Sequence, residues 1–144
     1  MKKTFIERKR ENKLEKIHQK ILKDAKNYSE IIVLCLGNYK EDLPFFLKFA
    51  TLVGTTLKEN NFSIYGDKKN PILLDQRCVC PILEKIKQDM QDAFLLVVMT
   101  SISENKKDVG NLSYKNQPYL LGDLKIGNAT IQLCSSYGKA LNPK

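Results

Sequence analysis

The sequence predicts an α/β fold, a three-layer α/β/α arrangement around a mixed, mainly parallel central sheet. Three observations carry that expectation. Ile31 to Leu36 is an unbroken apolar run, too short to span a bilayer and too continuous for a strand with one wet face, so it reads as a strand covered on both sides. Phe94 to Met99 repeats the pattern. Around both runs lie segments whose apolar residues recur at steps of three and four, as in helices that cover a sheet.

The elements follow in chain order. From Thr4 to about Asn27, Leu14, Ile17, Ile21, Ala25 and Tyr28 form one apolar stripe, which predicts a helix docked on the body. Like charges four residues apart, such as Glu7 with Glu11 and Lys16 with Lys20, weaken that helix in isolation, so its stripe must hold it. After the first buried strand, Pro44 suits a helix N1 position and Asp42 an N-cap, with a helix over 44–59 ending at Asn60-Asn61. Phe62 to Tyr65 alternates as a short strand, and Gly66-Asp67-Lys68-Lys69-Asn70-Pro71 is dense in turn formers. Pro81 to Gln91 reads as a helix, and the second buried strand then ends at Thr100-Ser101-Ile102-Ser103. Asp108 to Tyr114 and Asp123 to Leu133 read as strands, with turns at 115–118 and at Gly127-Asn128, so the last third is expected to be antiparallel or mixed.

A chain of 144 residues with 42% hydrophobic content fits one domain. The expected organisation is a basic amphipathic helix over 1–28, a single α/β domain over 29–138, and a frayed tail over 139–144. Residues 1–28 hold ten Lys or Arg and four acids, +6 of the total +8, which leaves +2 for the other 116 residues. A nucleic-acid-binding domain spreads its charge over a face of the fold, so nucleic acid is not the expected main partner. With no apolar stretch of spanning length and a charged start, no membrane role and a cytoplasmic location are expected. Cys35, Cys78, Cys80 and Cys134 then read as reduced thiols, and with His18 far from Cys78 and Cys80 no metal site is expected.

In open α/β sheets chemistry collects beyond the carboxyl ends of the strands, which directs attention to Gly37, Asn38, Glu41 and Asp42. The spacing around Gly37 lacks both the dinucleotide and the P-loop patterns, and with one histidine a Ser-His-Asp triad is not expected. No cofactor is expected.

The ordered series Leu34-Cys35-Leu36-Gly37, Val53-Gly54-Thr55, Ile64-Tyr65-Gly66 with Pro71, the strand at 94–99, Val109-Gly110 and Gly122-Asp123-Leu124 resembles the YyaC-like sporulation protease family. That family is similar to the spore germination endopeptidase and the hydrogenase maturation peptidases. The resemblance covers residues 30 to 133 and implies a sporulation-associated peptidase of a spore-forming bacterium acting on a peptide or protein substrate. An acid or metal-assisted peptidase needs two converging carboxylates. The chain departs from the family there: Tyr39 stands at the first acidic position of the polar loop, Thr100 at the aspartate ending the buried strand, and Leu73 at a histidine. The resemblance leaves Asp42 and Asp123 as catalytic acids, with Glu41 as substitute, around a cleft lined by Gly37, Asn38, Thr100 and Gly110. Asp42 equally fits a helix N-cap and Asp123 a turn. Three functions follow as expectations: a peptidase-like protein, active or catalytically degenerate; a non-catalytic peptide- or protein-binding module; or an anionic-polymer (nucleic acid) binder working through the N-terminal helix.

Overall fold

The computed structural model describes residues 4–103 and 110–136. Its elements run α1 (Phe5–Asp24), β1 (Glu30–Cys35), α2 (Phe45–Glu59), β2 (Ile64–Tyr65), α3 (Gln76–Asp89), β3 (Ala93–Ser103), β4 (Leu112–Lys115), β5 (Tyr119–Leu121), β6 (Leu124–Ile126) and β7 (Ala129–Ser136). Five strands form the central sheet in the order β2-β1-β3-β7-β4, and β5 with β6 makes a separate hairpin. Only β4 runs antiparallel to its neighbour in that sheet. The fold is therefore α/β with a mixed, mainly parallel sheet, as the buried runs predict.

The unbroken apolar runs follow from a sheet covered on both faces. Side chains alternate along a strand, so a strand in a middle layer needs apolar residues at every position. Val33, Cys35, Phe94, Leu96 and Val98 pack with Ile21, Ala25, Phe49 and Ala50 of the α1–α2 side. Ile32, Leu34, Leu95 and Val97 face the other way, onto Val79 and Ile86 of α3 and Ile126 of the hairpin.

Several boundaries differ from expectation. The helix expected from Pro81 begins at Gln76 instead: the Asp75 side chain caps it by accepting from the Arg77 amide, and Pro81 sits inside it. Pro44 itself, not Asp42, occupies the N-cap of α2, and no side chain caps that helix. The α1 stripe docks at its carboxyl half, where Ile17 and Ala25 are buried while Leu14 stays exposed. Tyr28 covers Phe94 edge-on at 5.2 Å. In the last third, Gly127 adopts a positive φ of 75°, and Asn128 exchanges hydrogen bonds with the Leu95 backbone, both 2.8 Å. That staple separates β6 from β7 and sends β7 into the sheet beside β3. Asp108 and Val109, expected at a strand start, and the tail at 139–144 lie outside the described residues. Among the described residues no helix is long and apolar enough to cross a membrane.

Candidate functional site

Because β2, β1, β3 and β7 are parallel, their carboxyl ends share one edge of the sheet, and the loops after β1 and β2 emerge side by side. The register continues past the strands: Leu36 bridges to Ile72, and the Gly37 amide donates to the Ile72 carbonyl at 2.8 Å. Close backbone packing brings α2 onto this junction. A side chain at Gly54 would collide with the Gly66 carbonyl, and one at Gly66, where φ is +94°, with the Cys35 carbonyl. Three backbone segments thus meet without room for a Cβ, which ties the helix to both loops.

At that junction lies an open cleft of about 610 Å³, lined by Tyr39, Thr55, the lysines at 58, 68 and 69, and two acids, Glu59 and Asp67. Asp67 is its centre. It is the one buried charged side chain among the described residues. Its Oδ1 accepts from the Asn70 amide at 2.7 Å and its Oδ2 from Lys58 Nζ at 3.1 Å. Burial alone would push this carboxyl up, but the Asn70 amide, the Lys58 ammonium and the Lys69 amide together outweigh it and hold the group below its ordinary value. Near neutral pH Asp67 is therefore an ionised acceptor and not a proton donor. The Lys68 amide donates to Thr55 Oγ1 at 2.9 Å, a second tie between the β2 loop and α2. Beneath the loop the buried Cys35 thiol is pushed up to about 12, first by burial and then by the nearby Asp67 charge, so it is not a nucleophile.

The β1 loop supplies the opposite wall. Tyr39 donates its hydroxyl to Glu41 Oε1 at 3.0 Å, and its ring centre lies 5.2 Å from Lys68 Nζ and 5.8 Å from Lys48 Nζ. Asn38 is used locally, its Oδ1 accepting from the Tyr39 amide and its carbonyl lying 3.3 Å from Thr51 Oγ1.

The sequence-derived site residues fall into two groups. Gly37, Asn38, Glu41 and Asp42 share the β1 loop, with Glu41 and Asp42 exposed in a turn before α2. Thr100 lies on β3 opposite Leu133, and Gly110 is pinned beside β7 by donating to the Cys134 carbonyl at 2.7 Å, on the same carboxyl edge. Asp123 sits in the β5–β6 turn on the α3 side, beside the start of that helix, where Gln76 Nε2 donates to the Leu121 carbonyl at 2.7 Å and lies 3.2 Å from Asp123 Oδ1. Asp67 is invisible as a site residue in the sequence, where Gly66 to Pro71 reads as a plain turn. Its only signal is an acid directly after a strand-ending glycine. Among the described residues no three His, Cys, Asp or Glu side chains gather as a metal site would require.

A family model described as a protein of unknown function, DUF1256, matches residues 5–133. The chain belongs to the DUF1256 family. No curated protein and no solved structure matches it. The match spans α1 through most of β7, so both loops of the cleft in this DUF1256 protein lie inside the family region. Chemically, the cleft offers ammonium groups, an aromatic ring and two acids, Glu59 and the Asp67 already engaged by a lysine, a set suited to binding charged groups.

Proposed function

We propose that this DUF1256 protein is a sporulation-associated, peptidase-like protein that holds a peptide or protein segment at its carboxyl-edge cleft without cutting it. One observation carries the reading: the buried acid of the cleft, Asp67, is spent on structure. Hydrolysis by carboxylates needs one to activate water and another to manage the proton on the leaving amine. Asp67 is fixed by Lys58 and the loop amides, and Asp123 is held in the β5–β6 turn beside Gln76. The sporulation association rests on the resemblance of the motif series alone.

The test is digestion of a mixed peptide pool by the purified protein, followed by mass spectrometry, beside the variants Asp42→Asn, Asp123→Asn and Glu41→Gln. The expected result is intact peptides throughout. Cleavage by the wild type that disappears in the Asp42 or Asp123 variant, with folding retained, would establish a peptidase instead.

A further inference from the structure

A second hollow, of about 520 Å³, lies on the other side of the Gly66–Pro71 loop, lined by residues that include Tyr65, Pro71, Ile72, Cys78 and Ile82. Lys69 lines both hollows. Three lysines and two acids border the first, the second adds the side chains of Tyr65, Pro71, Ile72 and Ile82 beside Lys69, and hydrogen bonds tie down the loop between them. Asp67 accepts from Asn70, Thr55 accepts from Lys68, and Gly66 packs on the backbone below. A ligand lying across this loop meets ammonium groups on one side and an apolar surface on the other.

In the first hollow, which Glu59 also borders, two lysines have no close ion pair among the described residues. Lys58 is engaged by Asp67 at 3.1 Å. Lys68 approaches Glu41 only to 4.0 Å, and both side chains are largely in water, so that pair neutralises little. Lys69 has no ion-pair partner among the described residues. The Tyr39 ring draws the Lys68 and Lys48 ammoniums toward one spot, since its face carries partial negative charge.

We propose that the two hollows together bind one peptide segment in which acidic residues adjoin an apolar one, the carboxylates against Lys68 and Lys69 and the apolar side chain against Tyr65, Ile72 and Ile82. This rests on the binding reading above and names the occupant. Because Cys78 is exposed and lines the second hollow, its thiol reports occupancy.

The experiment uses the full chain and a short fluorescein-labelled peptide containing Glu-Asp-Glu-Leu, with controls carrying Lys for the acids or Ser for the Leu. Anisotropy gives affinity, and mass spectrometry gives the rate of Cys78 alkylation by iodoacetamide with and without peptide. The acidic-apolar peptide is expected to bind best, to weaken about tenfold in the Lys68→Gln, Lys69→Gln double variant and with added salt, and to slow Cys78 alkylation. Both substitutions are at exposed side chains, so folding is preserved. Equal binding of the Lys-bearing control, indifference to the double variant, or an unchanged Cys78 rate overturns this inference and leaves the binding reading standing. Binding by none of the three peptides overturns both. A single-stranded oligonucleotide that binds more tightly and displaces the peptide overturns it in favour of nucleic acid.

Discussion

Replacing Gly54 with alanine should destabilise this protein, although the same change in an ordinary helix interior stabilises by about 1 kcal/mol. Gly54 is buried in α2 where the helix crosses the end of β2. A methyl group there would lie within the van der Waals envelope of the Gly66 carbonyl oxygen and 3.3 Å from Cys35 Sγ. The obstacle is backbone, which cannot rotate away as a side chain can. Overpacking of this kind costs about 3 kcal/mol. Set against the gain in helix propensity, a net loss of about 2 kcal/mol remains, or ~4–8 °C in Tm for a domain of this size. Gly37 supplies the control. Its added methyl would meet Ala50 Cβ at 3.5 Å, an ordinary contact, so Gly37→Ala should leave Tm within ~2 °C. Thermal unfolding followed by far-ultraviolet circular dichroism measures both variants. A Tm for Gly54→Ala equal to or above that of the wild type would refute the close packing of α2 on the β2 loop, and with it the account of how Asp67 is positioned.

Other outcomes follow from the same contacts. Asp67→Ala strands the Asn70 amide and should lower stability to urea by about 1–3 kcal/mol, whereas Lys58→Ala, which removes a largely exposed ammonium, should lower it by less than about 1 kcal/mol. Since the folded state holds Asp67 below its ordinary value of 3.8, its contribution is complete above that pH and fades as pH falls through the lower folded value. The stability gap between wild type and Asp67→Asn should therefore narrow only in that acid range, and a gap unchanged down to pH ~2 would contradict it. Tyr114 donates to Asp24 at 2.7 Å, tying β4 to the end of α1, so Tyr114→Phe should cost about 1 kcal/mol in urea unfolding. Burial and then Asp24 raise that hydroxyl above its ordinary 10.0, so the wild-type advantage should persist below pH 10 and fade as pH rises through the folded value. Under native conditions iodoacetamide should modify Cys78 before Cys35, whose thiol is buried and raised to about 12; Cys35 reacting first would mean the β1 end is open.

The strands β1 and β3 are legible because a middle-layer strand leaves a continuous apolar run, which few other elements do. The start of α3 is not. Gln76 to Cys80 carries little apolar periodicity, and Pro81 imitates a helix beginning, so the capping Asp75 is hidden behind Leu73-Leu74. Asp42 shows the opposite error: a residue of the right type at the right spacing is not used as the cap, because the chain turns at Glu41-Asp42 and enters α2 through Pro44.

The order of elements except β5, the two-sided burial of the sheet and the carboxyl edge as the place where the loops gather were fixed by the sequence itself. Apolar periodicity and turn chemistry act between residues close in the chain, so they can be read from it. Asp67 gained its importance only in three dimensions. A surface turn and a buried, lysine-paired acid have the same local sequence, and what separates them is the approach of α2, with Gly54 against Gly66 and Lys58 within reach. The placement of Asp123 beside the start of α3 is likewise a tertiary outcome, following from the Gly127-Asn128 staple on Leu95 that gives β5 and β6 to the α3 side and β7 to the sheet.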